Sequence, residues 1–449
     1  MPTLFPFSHN WSSPYTTTYE FSTDILTSRN GTEQRRARRE TARKGFQTSL
    51  LVDGPRLTLF DRVMFTSQNQ ELYFAEEPRG FTTYGLAASG VTTTFVTEAD
   101  HPAAWVVEGA VVGLIDDIRV GLRTIDSVVV ETVGDVTTYH VDFLESEITS
   151  WPIGTRVCPL RAGYLNDDTA VTFRTSTVAT ASLDFDVTPA SEDNDAPETD
   201  WLNTWGGREV FRWKGNWGTP PSANYRAPRE TVDYGQGVTA TFRPIVFATR
   251  VLQASYLSDT LAQGEELRTF FCRMKGQRGE FYMPTWQPDM TPLSDLDSWD
   301  TSVTVAGTDI VAYFSDDPIR RAFAFVYKTG DMVFRKIVEI TEDGGNSVIE
   351  FEPPTPWPIA AADLRCLSWL SVYRFASDTM TIEFLTESVS RTQLSVSSLP
   401  DLAPEGIDEV FDEGQQWILD TFGWAFISAI YDPLDEFVNE IYPLSAEVE

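Results

Sequence analysis

Apolar and polar residues alternate with a period of two through much of this chain. Tyr139, Val141 and Phe143 are separated by polar neighbours, as are Val171 and Phe173, and Ile382 and Phe384 repeat the motif further on. Successive strand side chains point to opposite faces, so this spacing predicts half-buried β-strands. One stretch follows the helical period instead. Leu267, Phe270, Phe271 and Met274 fall on one side of a helix, and Gly276 stands where a left-handed cap is wanted. After Pro400 the pattern changes again. Ile407, Phe411, Ile418, Phe422 and Ala425 form one helical face, and Leu434, Phe437, Val438 and Ile441 form another behind Pro433.

The pattern repeats along the chain. An offset of 206 residues places Asn10 and Trp11 on Asn216 and Trp217, Pro14 on Pro220, Tyr19 on Tyr225 and Gly31 on Gly237. At the same offset Gln47, Ser49, Leu51 and Asp53 meet Gln253, Ser255, Leu257 and Asp259, and Trp151-Pro152-Ile153 meets Trp357-Pro358-Ile359. Cys158 meets Cys366 at 208, and at 211 Asp167, Val171, Phe173, Thr175, Val178, Leu183 and Pro189 fall on Asp378, Ile382, Phe384, Thr386, Val389, Leu394 and Pro400. Ordered blocks with slowly growing offsets predict a tandem duplication.

The expected fold is therefore mainly β: two copies of a β-sandwich or barrel unit with a short helix, each followed by a small β-barrel module, then C-terminal helices. The first-copy sandwich, with a basic turn, is assigned to 1–82 and its small module to 83–188. An acidic linker spans 189–200. The second-copy sandwich with its helix is assigned to 201–295, its small module to 296–400, and an acidic helical segment to 401–449. Each sandwich is expected to run strand, turn, long strand, short helix, strand.

Composition narrows the function. The chain has 449 residues, 42% of them hydrophobic and 13% aromatic, which suits several folded cores. The formal charge is -32, from 66 acidic and 34 basic residues, and repels a phosphate backbone, so no specific nucleic-acid binding is expected. No apolar run reaches membrane-spanning length, and the start MPTLFPFSHNW lacks a basic, apolar leader, so neither membrane insertion nor export is expected. Cys158, Cys272 and Cys366 form no CxxC pair and are expected as buried thiols.

Enzyme signatures are weak. His9, His101 and His140 share no metal-ligand spacing, and neither a Gly-rich phosphate loop nor a Gly-x-Ser-x-Gly elbow occurs. Paired carboxylates such as Asp116 with Asp117, or Asp184 with Asp186, are expected by number alone in so acidic a chain. No catalytic, cofactor or metal residue is assigned.

Charge is concentrated in two places. Arg35, Arg36, Arg38, Arg39, Arg43 and Lys44 crowd into ten positions, and 401–449 carries 13 acidic side chains with no Lys or Arg. The basic cluster reads as a solvated face, as a DNA contact, or as an assembly contact in which a local positive patch docks on an acidic neighbour. On the assembly reading Arg35, Arg36, Arg38 and Arg39 are subunit-interaction residues, and reversing Arg35 and Arg36 to Glu would dissociate assemblies. The C-terminal acids read as solubilising, or, because Trp417, Phe422, Trp424 and Phe426 interrupt them, as docking helices.

The segment FSTDILTSRNGTEQRRARR at 21–39, leading into GFQTSL at 45–50, resembles the N-terminal region of distal tail and tail-tip (hub-type) structural proteins of long-tailed phages and gene transfer agents. FFCRMKGQRGEFY at 270–282 is similar to the aromatic, Gly-Arg, aromatic element of the same family. The resemblance covers about a third of the chain. Copy two departs from it, with Gly237-Val238-Thr239-Ala240-Thr241 where copy one has Gly31-Thr32-Glu33-Gln34-Arg35. Family members form rings at the distal end of the tail tube. The resemblance thus implies a virion structural protein, made in the host cytoplasm, whose partners are itself, the tail tube and other tail-tip proteins, with DNA only in transit. Distal-tail ring and hub positions both fit, as do a hexamer and a trimer of two-unit chains. The alternative is a carbohydrate- or receptor-binding module, for which Trp201, Trp205, Trp213 and Trp217 would supply stacking surfaces.

Overall fold

The computed structural model describes residues 3–399 except for 29–32, 87–91, 99–104, 117–119, 145–150, 190–203 and 243–247 and the single positions 68, 84, 134, 135, 153, 167, 228, 234, 236, 238, 316 and 318. The acidic linker from 190 onward and the C-terminal segment, with Trp417, Phe422, Trp424 and Phe426, lie outside the described residues. The chain is mainly β, with a large antiparallel sheet and a few short helices.

The first half opens with β1 (Thr3–Leu4), β2 (Tyr15–Glu20), the hairpin β3 (Thr23–Thr27) and β4 (Glu33–Ala37), and the long β5 (Arg43–Asp53). Helix α1 (Pro55–Ser67) follows, then β6 (Leu72–Ala75), β7 (Phe81–Thr82), β8 (Gly85–Leu86) and β9 (Thr92–Glu98). It closes with β10 (Val111–Ile115), β11 (Val120–Val133), β12 (Val136–Phe143), β13 (Arg156–Leu165), β14 (Ala170–Phe173) and β15 (Val178–Val187). The second half begins with β16 (Thr204–Trp205), β17 (Arg208–Val210), β18 (Ser222–Arg226), β19 (Glu230–Asp233), β20 (Thr239–Phe242) and β21 (Thr249–Ser258). Helix α2 (Leu261–Met274), β22 (Phe281–Pro284), β23 (Ser302–Val305) and the short α3 (Asp309–Phe314) come next. Then follow β24 (Ala322–Tyr327), β25 (Met332–Asp343), β26 (Asn346–Glu352), β27 (Leu364–Phe375), β28 (Thr379–Phe384) and β29 (Ser390–Ser398).

Most strand ladders of the two halves correspond; β7·β13, β8·β9 and β16·β17 are the described pairs within a half without a counterpart. β1 runs parallel to β6, and β17 runs parallel to β22. The antiparallel pairs β2·β5, β5·β15, β14·β15, β13·β15, β6·β13, β10·β13, β10·β11, β11·β12 and β9·β12 have their counterparts in β18·β21, β21·β29, β28·β29, β27·β29, β22·β27, β24·β27, β24·β25, β25·β26 and β23·β26. Register agrees as well: Gln47 faces Thr16 and Gln253 faces Ser222, while Val171 faces Ala181 and Ile382 faces Thr392. The hairpins β3–β4 and β19–β20 each stand outside the main sheet.

Among the described residues each half carries two main apolar cores, and the second half adds smaller clusters around Val210, Tyr282 and Leu370 and around Ala324, Val326 and Cys366. Phe46, Leu50, Phe60, Phe74, Leu183 and Phe185 fill one in the first half, and Val112, Leu114, Ile125, Val141 and Trp151 fill the other. In the second half Leu267, Phe270, Phe271, Phe281 and Phe375 pack together, and Phe323, Phe325, Ile349 and Phe351 form a separate cluster. Helix α2 presents the apolar face that its spacing predicts, starts on a Thr260 hydroxyl that accepts from the Gln263 amide, and ends on Lys275 in the left-handed conformation, with Gly276 also at positive φ. The left-handed cap is thus shared by two residues. The alternation expected for Val171 and Phe173 is only partly realised: Val171 is half-buried and Phe173 is exposed.

Candidate subunit interface

The two halves meet edge to edge, because β2 continues the second half's sheet by pairing antiparallel with β28. Tyr15 faces Phe384, Thr17 faces Ile382 and Glu20 faces Thr379. Backbone groups on a sheet edge are obligatory hydrogen-bonding groups, so this junction satisfies a row that would otherwise template uncontrolled pairing. Tyr19 and Phe21 enter the second half's aromatic core, Phe21 lying 5.8 Å from Phe271, and Phe384 meets Tyr15 at 6.4 Å. Each such buried ring contributes about 1.5–3 kcal/mol.

The turn before β28 anchors the β3 entry. The Asp378 carboxylate accepts the Thr23 amide at 2.7 Å, the Thr23 hydroxyl at 2.9 Å and the Gln277 amide at 2.9 Å, and its carbonyl accepts the Phe21 amide at 2.9 Å. Gly276 sits against this turn. A Cβ there would come within 2.5 Å of the Asp378 carboxylate, so the close approach excludes a side chain.

The basic cluster is divided by strand alternation. On β4, Glu33 and Arg35 face the second half while Arg36 faces outward and is exposed. Arg374 donates to both carboxylate oxygens of Glu33, from Nε at 2.7 Å and Nη2 at 2.8 Å. Arg35 lies 3.7 Å from Glu33 and bonds Glu280, which also accepts Arg208 Nε at 3.1 Å. Alternating charges therefore run Arg374, Glu33, Arg35, Glu280, Arg208 across the seam. Arg38 pairs with Asp24 at 2.6 Å and Arg39 with Glu20 at 3.6 Å, both within the first half. The structure thus places Arg35 in a contact inside one chain, so reversing it strikes the seam between halves. Lys44 shares the inward parity of Phe46, Leu50 and Val52 on β5 and is buried.

Beneath the seam lies a second charged network. Glu76 accepts Lys44 Nζ at 2.7 Å and Arg161 Nε at 3.2 Å, with Arg79 3.7 Å away. Arg79 reaches Glu265 of α2 at 3.1 Å, Arg268 Nε donates to Glu265 at 2.7 Å, and the Arg268 guanidinium and Lys44 ammonium each lie 5.6 Å from the Tyr19 ring centre. Burial pushes Glu265 upward, but Arg79 and Arg268 outweigh it and hold the carboxyl below its ordinary value. Glu77 differs. Burial raises it to about 7, against the opposing pull of the His9 amide, which donates at 2.5 Å, and of Arg156. His9 is lowered by burial, its Nδ1 lies 2.8 Å from the Thr48 hydroxyl, and its Nε2 meets the Ser13 carbonyl at 2.9 Å. Burial also pushes the Cys158 thiol up to about 12. Sequence reading missed Glu76, Arg79, Glu265 and Arg374, because single charges among apolar strands have no signature until their partners are placed.

Among the described residues, the tryptophans considered for a stacking surface have different surroundings. Trp205 packs edge-on to Tyr282 at 4.8 Å, Trp213 packs on Phe211 and Phe270, Trp217 is exposed, and Trp201 lies outside the described residues. Asp184 and Asp186 both point outward from β15. Among the described residues no group of three or more His, Cys, Asp or Glu side chains is placed to hold a metal, and no helix is long and apolar enough to cross a membrane. Neither a protein-family model nor a curated protein sequence matches this chain.

Proposed function

We propose that this chain is a structural subunit of a phage-like tail tip, a tandem duplicate of one β-sandwich unit with its small β module, that assembles into a ring at the distal end of the tail tube. The observation that carries the reading is where the resembling segment lies. The strand-turn-strand stretch at 21–39 that is similar to the tail-tip family supplies Phe21, Thr23, Glu33 and Arg35, four of the residues that bind one half to the other. A segment that joins repeats within a chain is chemically suited to a protein whose work is to join subunits.

On this reading the chain catalyses nothing and connects the tube to hub or receptor-binding proteins. Three two-unit chains would present six similar units around a central passage. The net negative charge keeps DNA in transit from sticking to the wall.

The test is location. Virions carrying a gold-labelled epitope at the C-terminus of this chain should show label at the tail tip by electron microscopy. Label on the capsid or along the tube, or virions that lack the chain, would overturn the reading.

A further inference from the structure

The seam within the chain joins a β2-type edge to a β28-type edge, and each half carries both types. Pairing consumes only one of each. The counterpart of β2 is β18, which among the described residues pairs with β21 alone, and the counterpart of β28 is β14, which pairs with β15 alone. We infer that β18 of one copy adds antiparallel to β14 of the next copy, reproducing between chains the β2·β28 junction seen within the chain. This deepens the assembly reading above and rests on it for the purpose of the contact, while the junction follows from the strand ladders.

The register is determined. Transferring the pairs Thr16·Glu383, Thr17·Ile382 and Glu20·Thr379 by the offsets at which the ladders agree gives Ser222 opposite Thr172, Ala223 opposite Val171, and Arg226 opposite Asp168. The same transfer sets Pro221 against Phe173, where Tyr15 packs on Phe384.

Side chains that the inner seam covers are bare at the outer edges. Tyr19 is 4% exposed and Tyr225 71%. Phe384 is half-buried and Phe173 is 61% exposed. On the helices the core positions Leu57, Phe60, Val63 and Met64 match Gly264, Leu267, Phe270 and Phe271. At this alignment Arg268 and Cys272, both buried under the first half, correspond to Asp61 and Phe65, and Phe65 is 91% exposed.

Charge agrees with a partner of this chemistry. The β18 edge presents Arg226, with Arg250 beside the Tyr225 ring as Lys44 is beside Tyr19, while the opposing edge presents Asp168 and Asp61. Opposite charges across a strand pair favour the register, and like charges there oppose it. Because the two edges differ, the contact is heterologous and propagates from copy to copy, closing into a ring where the rotation allows.

Directly opposed strand residues have Cα separations of about 4.5–5.5 Å, within disulfide range. The native thiols are buried, so engineered cysteines report cleanly. Full-length Ala223→Cys/Val171→Cys should oxidise to a ladder of multimers. A mixture of the Ala223→Cys and Val171→Cys single variants should give dimers and nothing larger, and Ala223→Cys/Asp168→Cys, out of register, should not cross-link. By multi-angle light scattering Arg226→Asp should weaken association about tenfold or more, and adding Asp168→Arg should restore it. Absence of cross-links in both the double variant and the mixture, or dimers from Ala223→Cys alone, would overturn the junction. Cross-links in this register from a chain that labels elsewhere on the virion would leave the junction standing and remove the tail-tip reading.

Discussion

The inner seam and the outer edges are built from corresponding strands, but only at the seam do the described residues place a neighbouring unit against the edge. At the seam, Tyr19 and Phe21 sit in an aromatic core and Glu33 is clamped by Arg374. At the outer edges, Tyr225, Phe173 and Phe65 face solvent. Strand ladders thus form within each unit regardless of neighbours, whereas burial of the edge side chains is created only when a second unit arrives.

The comparison is broken most sharply by truncating corresponding tyrosines. Tyr19→Ala should lower unfolding stability by about 3–5 kcal/mol in urea titration, and Tyr225→Ala should change the monomer by less than about 0.5 kcal/mol. Equal losses would mean that the two edges are not equivalent environments. Next in size, Arg374→Ala leaves the half-buried Glu33 without its bidentate partner and should cost about 2–4 kcal/mol, whereas Arg226→Ala should leave the monomer's denaturation midpoint in place.

Asp378→Asn keeps the shape of the turn and weakens charge-assisted acceptance from Thr23 and Gln277, so a loss of about 1–2 kcal/mol is expected, together with faster amide exchange at Phe21 and Thr23. The smallest effect concerns Glu77. Its folded pKa of about 7 lies above the ordinary 4.5, so the folded state holds the proton more tightly. Its contribution is fully present below pH 4.5 and is lost as pH rises through about 7. Glu77→Gln should remove that slope between the two values. A wild-type minus variant stability difference that is flat with pH would refute the assignment.

Much of the secondary structure was legible in the sequence, because periodicity is local. The spacing of Leu267, Phe270, Phe271 and Met274 marked α2, and the offset that matches Trp11 with Trp217 is the one at which Gln47 and Gln253 occupy corresponding ladder positions. The site was less legible. The basic cluster was visible, yet its members part ways by strand parity: Arg35 turns to the other half, Arg36 to solvent and Lys44 into the interior. Phe173 follows a half-buried pattern and is exposed on β14, because period-two spacing marks a face of a strand without saying whether anything covers that face.

That the chain is rich in strands could be read from alternation without knowing what touches what, and the repeated blocks added the expectation that one order of elements occurs twice. Which of two like edges is covered follows from how the halves fold against each other. That outcome depends on contacts such as Thr23 with Asp378, 355 residues apart, whose closeness no local spacing encodes. Their energy comes from burying rings and pairing charges across surfaces that exist only once both halves have folded.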